Sequence, residues 1–330
     1  MTSSLALPIL DADLEERLRA RMLEVEEAML GHVESEAPFV TKAARHLMEA
    51  GGKRFRPLLC FLAAETGQGA NADVLTASCV VELTHLASLY HDDVMDEAAL
   101  RRGAESANAR WDNHVAILTG DFLFARSSEL TAALGPEAVL IQAQTFSRLV
   151  EGQILETLGP GPEDDALAHY LRVVAGKTGS LIATSARYGA MFGGAGDDVV
   201  TALTEYGERV GVAFQLSDDI LDVASESDES GKTPGTDLRE GVPTLPSLFA
   251  LRTTDESGAR LRELLAQPLT DDALHAEALG LLRAHPAMAE ARAYVAAEAA
   301  AAKSLLQALP DGPVRTALEA FADVVADRSS

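Results

Sequence analysis

Aromatic side chains are scarce in this sequence, at 5% of residues with a single tryptophan, so a pocket walled by aromatic rings has little to draw on. Cysteine is scarcer still. Cys60 and Cys79 both sit in apolar stretches, which reads as buried free thiols in a reducing, cytoplasmic setting and excludes a disulfide framework. Positive charge is also in short supply. With 27 basic against 51 acidic residues the formal net charge is −24, which argues against nucleic acid and anionic membrane surfaces as partners and requires any bound anion to be held locally. No run approaches the ~20 apolar residues of a bilayer span, since the two best stretches are interrupted by Glu65 and Glu82, so no integral membrane segment is expected. The opening MTSSLALPILDADLEERLRARM turns acidic early and shows no secretory leader. Linkers are missing as well. Without a Pro/Gly/Ser-rich tract or a shift in composition, residues 1–330 read as one domain.

What fills the chain is Ala, Leu, Glu and Arg, with apolar positions recurring three and four apart, so helix is expected almost throughout. The period predicts helices over 13–33, 40–50, 57–66, 72–97, 107–134, 137–158, 164–192 and 197–224, and several more from 244 to 327. Two polar, glycine-containing segments escape it: 98–106 (AALRRGAES) and 225–242 (SESDESGKTPGTDLREGV). Each follows an aspartate cluster, as a loop closing over a charged ligand would, although either could be an ordinary solvated connection.

The first cluster is Asp92, Asp93 and Asp96, at the end of a long apolar helix; the second is Asp218, Asp219 and Asp222. In both, the first and last carboxylates stack one turn apart while the middle one points about 100° away. Like charges at that spacing repel, and hard oxygen donors of this kind suit Mg²⁺, which keeps waters and shares phosphate oxygens. One such triplet alone is ordinarily an acidic surface face. Two, each in an apolar helix and each followed by a basic loop, describe aspartates on opposing walls of a cavity mouth, holding Mg²⁺ around a diphosphate.

The few cations are informative. Lys53, Arg54 and Arg56 follow Gly51-Gly52 at a helix start, where free N–H groups already favour anions. Arg101 and Arg102 lie just past the first cluster, where surface solubility is the competing account, and Lys232 lies in the second loop. Lys177, beside Thr178 and between Val173-Val174 and Leu181-Ile182, interrupts a helix that reads as buried; an unpaired ammonium there would be costly, so an ion pair or an anionic ligand is required. His85 and His91 lie near the first cluster as packing or hydrogen-bonding residues, His85 being the better phosphate donor.

GGKRFRP, VELTHLASLYHDDVMDEAALRRG, LTGDFLFARS, GKTGSL and FQLSDDILD followed by GKTPGTDLREGVPTLP resemble, in that order, the trans-isoprenyl diphosphate synthases, or polyprenyl synthetases. The resemblance covers about 42–248. It implies an all-α fold, an antiparallel helix bundle around a deep central cavity, normally a homodimer, that condenses isopentenyl diphosphate with an allylic diphosphate (geranyl, farnesyl or geranylgeranyl) and releases pyrophosphate. It further implies that Asp92 and Asp96 ligate Mg²⁺ with Asp93 in support, that Asp218 ligates a further Mg²⁺ with Asp219 and Asp222 nearby, that Lys53, Arg56, His85 and Arg102 hold isopentenyl diphosphate, and that Arg101, Lys177, Thr178, Gln215 and Lys232 grip the allylic diphosphate. Gln153, after Glu151-Gly152, stands where many members of that family carry Glu.

Three rivals fare worse. A class I terpene cyclase would carry an Asn/Asp, Ser/Thr, Glu triplet in place of the second aspartates and would need aromatic lining. A noncatalytic subunit of a heteromeric synthase would have lost aspartates or the basic motif, and all are present. A metal-dependent phosphohydrolase built on His91-Asp92 would need further His ligands, and His114 and His169 lack the spacing. One and two turns before Asp92, Ser88, Ala87 and Thr84 are all small, which leaves a product tunnel without an aromatic floor and predicts a product beyond fifteen carbons, in the range of thirty to fifty. Replacing Ala87 with Phe is therefore expected to shorten the product, read by chromatographic sizing, without abolishing turnover; unchanged length would reject the assignment.

Overall fold

A computed structural model describes residues 7–225, 234–254 and 258–327. Among these the elements in chain order are α1 (Ala12–His32), α2 (Pro38–Glu49), α3 (Phe55–Ala64), α4 (Ala72–Met95), a hairpin of β1 (Leu100–Arg101) and β2 (Ala104–Glu105), α5 (Ala107–Arg110), α6 (Asn113–Ala133), α7 (Pro136–Leu158), α8 (Ala166–Val174), a π turn (Ala175–Gly179), α9 (Ser180–Phe192), α10 (Asp197–Ala224), α11 (Thr236–Glu240), α12 (Leu245–Arg252), α13 (Ala259–Leu265), α14 (Asp272–Ala284), α15 (Pro286–Leu305) and α16 (Pro313–Asp327). The all-α expectation holds.

Departures from the expected helices have local causes. The run expected over 107–134 breaks at Trp111 and Asp112, because the Asp112 carboxylate accepts from Val115 N at 2.8 Å and starts α6 afresh. The run expected over 164–192 is continuous but widens into the π turn. Segment 98–106 is a two-stranded hairpin with Leu100 opposite Glu105, and Arg102 (φ 55) and Gly103 (φ 77) supply the two left-handed residues its tight turn demands.

Contacts divide the chain into two compact units: residues 1–146, 181–207 and 306–320, and residues 147–180, 208–305 and 321–330. In the first, α4 packs most extensively on α6 and is flanked by α1 and α3. Its neighbours close around Leu83, Leu86, Ala87 and Tyr90, all fully buried. By length and mean hydropathy (1.2 over its best window) α4 is the one described helix that could cross a bilayer, contrary to the expectation drawn from uninterrupted apolar runs; 67% of that window is buried in the fold, which makes α4 a core helix. Elsewhere in this unit α9 meets α3 backbone to backbone, and a Cβ at Gly189 would lie 2.0 Å from the Cys60 carbonyl oxygen. In the second unit α12 packs on α15, α13 on α14, and α14 on α15.

One buried ion cluster ties α1, α3 and α4. Arg54, at the left-handed N-cap of α3 (φ 49), donates to Glu26 Oε1 at 2.6 Å, Glu82 Oε1 at 3.1 Å and the Met48 carbonyl at 3.0 Å. The Arg54 and Glu82 side chains are only 4% and 2% exposed, so each depends on the other. Removing the guanidinium would strand the Glu82 carboxylate in the core; Arg54→Met is expected to cost about 3–5 kcal/mol of stability, measured by denaturant unfolding, and a loss under about 1 kcal/mol would show the cluster to be dispensable.

Candidate active site

The first aspartate cluster lies in the first unit. Asp92 is half-buried and Asp96, at the C-cap of α4, is exposed, whereas Asp93 is fully buried. The hairpin returns Arg101 to it: Nε donates to Asp93 Oδ1 at 2.6 Å, and Nη2 lies 3.9 Å from Asp96 Oδ2. Burial pushes the Asp93 carboxyl up and Arg101 pulls it back. Its second oxygen, Oδ2, is buried with no hydrogen-bond partner.

The basic loop belongs to the same unit. Gly51 (φ 93) and Gly52 (φ 146) adopt backbone that side chains resist, and at Gly52 there is no room either, since a Cβ would lie 2.9 Å from Arg102 Cζ and 3.0 Å from Arg54 Nη1. Of its cations, Arg54 is consumed by Glu26 and Glu82. Arg102 donates to the Leu47 carbonyl at 3.1 Å and to the Gly51 carbonyl, so it braces the loop as well as adding charge to it. Lys53 is exposed, its Nζ 5.8 Å from the Phe55 ring centroid, and Arg56 is half-buried. Burial first, then Arg56, Arg102, Arg54 and Arg101, hold the His85 imidazole well below its usual pKa. His85 is therefore a neutral hydrogen-bonding group inside a positive field. His91 Nε2 instead faces the Ile117 carbonyl at 3.1 Å.

The three small residues before Asp92 lie along one side of α4 but differ in exposure. Thr84 is buried, its hydroxyl 2.8 Å from Ser127 Oγ and accepting from Gln142 Nε2 at 2.6 Å. Ala87 is fully buried against α6, where a Cβ at Gly120 would lie 3.1 Å from its carbonyl oxygen. Ser88 alone is half-buried, donating to the His85 carbonyl at 2.8 Å. Ala87 thus packs in the core against α6.

In the second unit α10 repeats the pattern. Asp218 and Asp222 are half-buried and Asp219 is buried. Asp219 accepts from the Tyr170 hydroxyl and from Gln215 Nε2 at 2.9 Å, and Gln215 Oε1 in turn accepts from Thr178 Oγ1 at 2.9 Å. Burial pushes the Asp219 carboxyl up to about 6 against the pull of these two donors. Asp222 accepts from the backbone N–H groups of Thr236 and Asp237, both at 3.3 Å, and so anchors the start of α11. Asp237 is raised to about 8, by burial and then by Asp219, Asp222, Glu240 and Glu156.

Lys177 and Thr178 lie in the π turn. Gly152 of α7 and Gly176 touch without side chains, since a Cβ on Gly152 would lie 2.6 Å from Lys177 N and one on Gly176 2.8 Å from the Arg148 carbonyl. That approach carries Glu156 to Lys177, with Nζ 2.6 Å from Oε2, so the ion-pair alternative is realised. Gln153 Oε1 is buried without a partner. Tyr170, Glu156 and Asp237 escaped sequence reasoning: a tyrosine at helical spacing reads as packing, Glu156 has no motif around it, and Asp237 sits inside a motif read for its lysine. Lys232 lies outside the described residues.

The donor chemistry of each cluster fits a hard divalent cation, although among the described residues no three His, Cys, Asp or Glu side chains converge into a ready cage. That is the arrangement Mg²⁺ accepts, one or two carboxylates with waters and phosphate oxygens completing the shell. The histidines a phosphohydrolase would need do other things: His114 is 93% exposed, and His169 Nε2 faces the Leu155 carbonyl at 3.0 Å.

The polyprenyl synthetase family model matches residues 37–282. The nonaprenyl diphosphate synthase of Mycobacterium tuberculosis is 52% identical over 319 residues, 96% of this chain and 95% of that protein. The crystal structure of geranylgeranyl pyrophosphate synthase from Corynebacterium glutamicum, complexed with calcium and isoprenyl diphosphate, superposes with a TM-score of 0.88 at 44% identity, covering 98% of this chain and 99% of that one. A decaprenyl diphosphate synthase from Rhodobacter capsulatus does so with a TM-score of 0.87 at 35% identity, covering 96% and 99%. With two aspartate triplets built alike and relatives matched along almost its whole length, the chain belongs to the polyprenyl synthetase family and is a prenyltransferase.

Proposed function

We propose that this enzyme extends an allylic diphosphate with isopentenyl diphosphate to a long all-trans polyprenyl diphosphate, using Mg²⁺, and works as a homodimer in the cytoplasm. The observation that carries the reading is the shared construction of the two aspartate triplets, with the middle carboxylate buried and tied and the flanking pair more open.

Asp92, Asp96 and Asp218 would hold the magnesium, which when bound supplies positive charge to the departing diphosphate. Arg101, Lys177, Thr178 and Gln215 orient the allylic diphosphate, and Lys53, Arg56, His85 and Arg102 the isopentenyl diphosphate. The allylic C–O bond breaks with its electron pair leaving on pyrophosphate, the isopentenyl double bond forms the new C–C bond, and a proton is lost to the departing pyrophosphate. The protein's own work is orientation, charge and exclusion of water. No side-chain nucleophile is needed. The small residues Ala87 and Ser88 and the nonaprenyl and decaprenyl relatives support a long product, with Ser88 the more open of the two.

An apolar stripe on one face of α7, Leu140, Val150, Ile154 and Leu158, is exposed and supports the dimer. Ile154→Glu is expected to shift the protein toward monomer in light scattering; wild-type protein that is monomeric would overturn this part. For the reaction, incubation with Mg²⁺, isopentenyl diphosphate and a panel of allylic diphosphates is expected to yield linear products longer than geranylgeranyl diphosphate. Asp92→Asn and Asp218→Asn should each lower turnover by at least about a hundredfold. Cyclic hydrocarbons, or no condensation with any primer, would refute the proposal.

A further inference from the structure

Lys177 already has an anion. Its Nζ lies 2.6 Å from Glu156 Oε2, with the two side chains 29% and 31% exposed, so the pair is neither locked in the core nor fully in water. Glu156 is held in place by the glycine contact one turn earlier, where α7 and the π turn touch at Gly152 and Gly176. It also belongs to the acidic neighbourhood of the second cluster, being one of the charges that bear on Asp237. A partly exposed ion pair of this kind is weak enough to open. A diphosphate, carrying more charge than one carboxylate, can displace it; the displaced carboxylate then remains beside the new anion.

We propose that Glu156 is a stand-in for diphosphate: it neutralises Lys177 while the site holds no ligand, competes with diphosphate for that ammonium, and so promotes release of pyrophosphate after each condensation. This rests on the reading above that Lys177 grips a diphosphate. It separates sharply from a purely structural role. If Glu156 only positions Lys177, loss of its charge weakens diphosphate binding, whereas a competitor's loss strengthens it.

Calorimetric titration of the full chain with inorganic pyrophosphate in excess magnesium chloride decides the sign. Glu156→Gln is expected to bind about three- to tenfold more tightly than wild type, and pyrophosphate to inhibit the variant more strongly by a similar factor. Glu156→Asp, which keeps the charge, should stay within about twofold of wild type. Glu156→Ser serves as a second charge-free variant should the amide disturb α7, with melting temperature as the check on folding. Unchanged or weaker binding in the charge-free variants, or equal tightening in Glu156→Asp, overturns the inference. Wild-type protein that binds no magnesium pyrophosphate overturns the proposed function and this inference together, whereas wild-type binding without tightening overturns this inference alone.

Discussion

Adjacent residues on a helix face directions about 100° apart, so a pair of neighbouring aspartates cannot both address the same ligand. The fold depends on what it does with the one that turns inward. Burial penalises that carboxylate, and each unit answers with its own donors: Arg101 from the hairpin for Asp93, and Tyr170 with Gln215 for Asp219. The answers differ in charge. Burial raises both carboxyls, offset in part by the Arg101 guanidinium at Asp93 and by two neutral donors at Asp219, which is pushed up to about 6. Once the middle residue is fixed, the rotation of the helix is fixed with it, and the flanking carboxylates are set in place.

The scarcity of positive charge gives each cation a separate task. In GGKRFRP the central Arg54 pairs with Glu26 and Glu82 and so ties the loop to α1 and α4. Arg102 adds carbonyl contacts to the same brace. His85, kept neutral by burial and by four arginines, can donate or accept without adding to the repulsion among them.

Much of this was legible in the sequence, because helical period and helix caps are local. Apolar spacing located most helices within a few residues, and the ordered motifs pointed to the family that the comparisons show. What stayed hidden depends on contacts between distant segments. Tyr170 reaches Asp219 across 49 positions, and Lys177 meets Glu156 across 21, neither announced by any motif. Mean hydropathy misleads in the other direction, since α4 has the composition of a bilayer span and the burial of a core helix. The break at Asp112 was missed because the apolar period runs straight through it, and only the capping carboxylate marks it.

The wide turn at Ala175–Gly179 fixes how this part of the chain can vary. A π turn absorbs one extra residue without interrupting the helix. Deleting a single residue there would restore regular winding and rotate everything before it by about 100° relative to everything after. Tyr170 would swing off Asp219, and the glycine seam between α7 and Gly176 would be replaced by bulkier neighbours. The insertion therefore acts as a register pin: in this segment it is the count of residues, more than their identity, that decides which side chains reach the carboxylates.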